Sequence, residues 1–83
     1  MEMLTKAVEA GQAGETEKHA HALKGAAVNF GANSLAEEAL ELERAGRAND
    51  MARATAAFPE VKAQYDKMMA FLSNSERLNQ LKH

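Results

Sequence analysis

His21, Lys24 and Gly25 are the residues of this chain whose types and spacing suit chemistry. At helical spacing, Lys24 and Gly25 fall three and four positions after His21 and share its surface, one turn toward the C-terminus. Imidazole is a good nucleophile when neutral, and its reference pKa of about 6.5 leaves it largely neutral near physiological pH. A phosphoryl group placed on a ring nitrogen leaves again readily, and an adjacent ammonium neutralises part of its charge. A mid-helix glycine costs about 0.5–1 kcal/mol relative to alanine, and beside an exposed imidazole it leaves room for another protein to approach the ring nitrogen.

The elements that hold these residues read as helices. The 46% hydrophobic share comes mostly from Ala, Leu and Met, with few β-branched or aromatic residues, which favours helix over strand. Met3, Leu4, Ala7 and Val8 recur at helical spacing and stop at Gly11-Gln12-Ala13-Gly14, which predicts a short helix over about 2–10. A second helix is expected over about 15–30, with acidic residues in its first turn and Gly31 as its stop. Asn33 or Ser34 is expected to cap a third over about 34–46, ended by Gly46 and the Asn49-Asp50 pair. Asp50 is a good N-cap for a fourth over about 50–73, whose Met51, Ala54, Phe58, Val61, Tyr65, Met68 and Leu72 recur every three or four residues. Pro59 predicts a kink or brief break near Ala57 and Phe58, and residues 74–83 read as a tail. Short turns between amphipathic segments make neighbours of sequential helices, so the expected fold is all-α: one domain over 1–83, an antiparallel up-and-down four-helix bundle with a short first helix.

At about 100° per residue, Thr16, Ala20, Leu23, Ala27 and Phe30 form the stripe of the second helix that must be buried, and His21 points roughly 140° from its centre. His21 is therefore expected in solvent, midway along the helix. His19 lies roughly 160° around from it, so the two cannot share a metal ion; it reads as structural or surface, and His83 as an uninvolved terminal residue. Val28 and Ala32 lie on the His21 side as a small apolar surface for a docking partner, with Gln12 and Asn29 as polar neighbours. Met68-Met69 and Phe71-Leu72 read as core or interface filler, and Glu37, Glu38 and Glu41 as a solvated face.

The composition excludes several classes. With no Cys among 83 residues, thiolate metal sites, thiol catalysis and disulfides are impossible, and a reducing cytoplasm is compatible. Ten basic and twelve acidic side chains give a net charge of −2, too little positive field to hold nucleic acid. No apolar run approaches the roughly 20 residues of a membrane span, and no recognisable catalytic triad, nucleotide-binding loop or His-Glu-x-x-His helix is present.

The run Ala20-His21-Ala22-Leu23-Lys24-Gly25-Ala26-Ala27, followed by Phe30-Gly31-Ala32, resembles the signature of the histidine-phosphotransfer (HPt) family of two-component phosphorelays. Leu35, Leu42-Glu43, Gly46-Arg47 and Asn49-Asp50 look like that family's next core helix and the turn after it. The resemblance is densest over residues 17–50. It implies that His21 is the phospho-acceptor, Lys24 the phosphate-facing cation and Gly25 the clearance residue. Some members have a carboxylate on the next helix that hydrogen-bonds the imidazole, and Glu43 matches it by position. The first helix here is shorter than in many members. The implied function is a phosphocarrier, not an enzyme with turnover of its own, which takes phosphate from one receiver-domain aspartate and gives it to another. Receiver domains and a histidine kinase are the implied partners, and the Mg²⁺ of the exchange belongs to the receiver, with no metal or cofactor bound by this chain. The implied setting is cytoplasmic, free-standing or within a hybrid, membrane-anchored sensor kinase. Two other readings stand beside it: a structural or interaction bundle whose histidine is incidental, and the phosphoacceptor domain of a chemotaxis-type kinase.

Overall fold

A computed structural model describes the backbone of residues 2–81 and the side chains of residues 2–72. The protein folds as four helices, α1 (Glu2–Glu9), α2 (Ala13–Asn29), α3 (Asn33–Arg47) and α4 (Met51–Leu81), with no strand among the described residues. The packing pairs are α1 with α2, α2 with α3, α3 with α4, and α4 back against α1, the ring order of an up-and-down four-helix bundle. α1 has only 8 residues beside the 17 of α2, so it covers just part of its neighbour.

The first three helices stop by one device. Gly11, Gly31 and Asn49 take φ values of 69°, 70° and 56°, the left-handed region that tolerates glycine and asparagine best. In each turn the next amide reaches back to a carbonyl five residues earlier: Gln12 to Ala7, Ala32 to Ala27 and Asp50 to Ala45, at 2.8–2.9 Å. Orphan carbonyls are thereby satisfied, and the chain reverses within three residues.

The helix starts differ from expectation at two places. α2 begins at Ala13, inside the expected turn, and neither α2 nor α3 has a side-chain cap; Asn33 is already the first residue of α3. Asp50 does cap α4, its Oδ1 accepting from the Arg53 amide at 3.1 Å. α4 runs through Pro59 without a break and continues past residue 73 to Leu81, so the helix includes most of the expected tail. Pro59 and Thr55, whose carbonyl loses its helical donor, are both solvent-exposed, which lets water replace the missing bond. His83 lies outside the described residues.

The core is built from Leu4, Val8, Leu35, Leu42 and Val61 with an alanine set of Ala20, Ala27, Ala45 and Ala54. Leu23, Met51, Phe58, Tyr65 and Met68 pack against it half-buried. Phe30, expected on the buried stripe of α2, is 57% exposed; Phe71 is 69% exposed and Met69 is also exposed, so of the two places expected for them, core or interface, the core does not hold. Phe30 follows the last turn of α2, where helical periodicity no longer fixes side-chain direction. Glu41, expected on a solvated face, bridges to Arg53 and so ties α3 to α4.

Candidate functional site

α2 carries His21 at mid-length, with its side chain 67% exposed as the periodicity predicts. α3 packs alongside and brings Glu43 beneath the ring. The carboxylate is only 5% exposed, and its Oε2 lies 3.2 Å from His21 Nδ1. Lys24, one turn after His21, places Nζ 3.1 Å from the other oxygen, Oε1. Arg47, one turn after Glu43, donates from a terminal guanidinium nitrogen to Oε2 at 3.0 Å and from Nε to Glu17 at 2.7 Å.

One buried anion is therefore ringed by an imidazole and two cations. Burial alone pushes the Glu43 carboxyl up, but Lys24 and His21 together outweigh it and hold it below its ordinary value. Arg47 is held still more firmly in its charged form, chiefly by Glu17 and then by Glu43. An ionised carboxylate only accepts hydrogen bonds, so the contact with His21 requires the ring proton on Nδ1. That tautomer turns the lone pair of Nε2 away from Glu43.

Gly25 faces open space: a Cβ built there meets nothing within 4 Å. Val28 is exposed and Ala32 half-buried against the core. A shallow cleft of about 380 Å³ opens between α2 and α3 beside His21, lined by Gly14, Glu17, Lys18, Glu43 and Arg47. His19 stands apart, toward α1, with Nε2 3.2 Å from Glu15. No group of three His, Asp or Glu residues able to hold a metal ion occurs among the described residues.

The structure thus brings together His21, Lys24 and Glu43 and leaves Gly25 open beside them. Sequence reading missed Arg47 as part of the site. Its signal was the i, i+4 spacing from Glu43, which becomes informative once Glu43 is placed under the ring.

The site is an exposed imidazole on α2 held over a buried carboxylate of α3, beside a shallow cleft open to solvent. The Hpt domain family matches residues 1–81, and the chain belongs to that family. It is a histidine-phosphotransfer domain of two-component signalling, a class of phosphocarriers that work with receiver domains and histidine kinases. Searches of curated proteins and of solved structures returned no match. No helix among the described residues is long and apolar enough to cross a membrane.

Proposed function

We propose that His21 is the phospho-acceptor of a phosphorelay, taking the phosphoryl group of a receiver-domain aspartate on Nε2 and passing it to the aspartate of a second receiver. The observation that carries this reading is the contact of His21 Nδ1 with the buried Glu43, which leaves Nε2 free on a ring exposed to partners.

In the forward step the Nε2 lone pair attacks phosphorus and the phosphorus–oxygen bond of the aspartyl phosphate breaks, with the receiver's carboxylate as leaving group. No proton moves. The ring keeps its Nδ1 proton and becomes cationic, and the Glu43 carboxylate stabilises that charge. Lys24, one helical turn after His21, exchanges its contact with Glu43 for a phosphoryl oxygen in this reading. The bare backbone at Gly25 gives the receiver clearance, and Val28 and Ala32 supply the apolar part of its docking surface. The divalent ion of the exchange belongs to the receiver.

The test is incubation with a panel of phosphorylated receivers. Wild-type protein acquires an acid-labile phosphate on His21, and His21→Gln abolishes it while circular dichroism stays helical. Wild-type protein unlabelled across the panel, or His21→Gln labelled as well as wild type, would remove the assignment.

A further inference from the structure

Gly46 reads in the sequence as a helix end, yet it is buried in the final turn of α3. A Cβ built there would lie 2.7 Å from the amide nitrogen of Glu17, 2.9 Å from the carbonyl oxygen of Ala13 and 3.1 Å from the Cα of Glu17. All three are backbone atoms of one turn of α2, so no side chain can swing aside. Non-bonded contacts are optimal near 3.5–4 Å, so any side chain at this position forces the two helices apart by about 1 Å. Gly14 and Gly25 meet nothing within 4 Å, which makes the close approach local to Gly46.

This contact lies one helical turn from the imidazole. Glu17 precedes His21 by four residues on α2, while Glu43 and Arg47 flank Gly46 on α3. Three polar links cross the same seam, from Arg47 to Glu17 at 2.7 Å, from His21 to Glu43 at 3.2 Å and from Lys24 to Glu43 at 3.1 Å. The second is already at the long end of the ordinary range of about 2.7–3.2 Å, so a separation of about 1 Å breaks it. A carboxylate that is 5% exposed and shared with Lys24 and Arg47 has little freedom to follow the ring.

We propose that Gly46 is a positioning residue for the His21 site: its missing side chain lets α3 approach α2 closely enough for Glu43 to hold Nδ1 of the ring. The consequence for phosphate acceptance rests on the carrier role of His21, whereas the consequence for the ring itself does not.

The test compares wild type, Gly46→Ala and Val61→Ala, a core change in α4 that lowers stability without entering the α2–α3 seam. Ring ¹⁵N NMR is expected to show the Nδ1–H tautomer of His21 in wild type and Val61→Ala. Gly46→Ala is expected to shift toward the Nε2–H form, as Glu43→Ala does, and to accept phosphate from a receiver about tenfold more slowly at a temperature where all variants are folded. A wild-type tautomer in Gly46→Ala overturns the proposal, as does an equal tautomer shift in Val61→Ala. The tautomer is read without phosphate, so a wild-type protein that accepts none would sink the carrier role alone. Should Gly46→Ala not fold, the wild-type protein carries the test. A nuclear Overhauser contact between the Gly46 α-protons and the Glu17 amide, with His21 in the Nδ1–H form, is then expected, and absence of either overturns the proposal.

Discussion

Glu43 Oε2 sits 3.2 Å from Nδ1 of His21, from a position 22 residues further along the chain and almost wholly out of water. The orientation and tautomer of the exposed ring are therefore set by a buried group on a different helix. Burial pushes this carboxyl up, but Lys24, 3.1 Å from the other oxygen, and His21 outweigh it and keep the carboxylate ionised at neutral pH, while Arg47 contacts Oε2 at 3.0 Å.

Glu43→Ala separates ring orientation from ring exposure. The imidazole stays in solvent but loses the acceptor that fixes its proton on Nδ1, so Nε2 becomes protonated in part of the population and ceases to be nucleophilic there. Removing a partner that fixes a tautomer lowers rates severely in other histidine sites. A fall of about tenfold or more is expected in the initial rate of phosphate acceptance from a receiver, with an unchanged helical spectrum. A wild-type rate would mean that the contact is ornamental.

The depressed pKa of Glu43 also fixes a direction for stability against pH. The unfolded chain binds the proton more readily than the folded one, so the stabilisation is complete above the ordinary carboxylate value of 4.5 and is lost as pH falls through the lower folded value. Thermal melts from pH 6 to pH 3 should therefore drop more steeply in wild type than in Glu43→Gln. Parallel curves would show that Glu43 gains nothing from its partners.

The sequence foretold the parts of the site that depend on one helix. Periodicity put His21 in solvent and Lys24 and Gly25 beside it, because neighbours on a helical surface follow from spacing alone. Glu43 came from family likeness, since no single-helix pattern states which residue of α3 faces which of α2. Gly46 was misread for the same reason. A glycine near a helix end resembles a stop signal, and its use as a close-packing point becomes visible only when Glu17 is found 2.7 Å from its would-be Cβ. The exposed Phe30 shows the converse, for hydrophobic spacing predicts burial only within the helix that sets it, and α2 ends at Asn29.

Thr16 is fully buried, and its hydroxyl has no hydrogen-bond partner among the described residues. An unpaired buried polar group costs about 1–3 kcal/mol, while threonine and valine are similar in shape and in helix propensity. Thr16→Val should stabilise the fold by about 1 kcal/mol, read as a rise of roughly 4–8 °C in Tm for a domain of this size. A lower Tm would indicate that the hydroxyl is satisfied, for example by bound water.

Gly25 separates stability from function most sharply. Its would-be Cβ meets only open space, so Gly25→Ala should stabilise α2 by about 0.5–1 kcal/mol through helix propensity alone. A longer side chain keeps most of that gain but stands one turn from His21, where the receiver must approach. Gly25→Gln should therefore melt above wild type and yet accept phosphate from a receiver several-fold more slowly. Labelling by a small donor such as phosphoramidate needs no docked protein and should be nearly unchanged. Equal slowing with both donors would place the defect in the ring's own chemistry and remove clearance as the reason for glycine at this position.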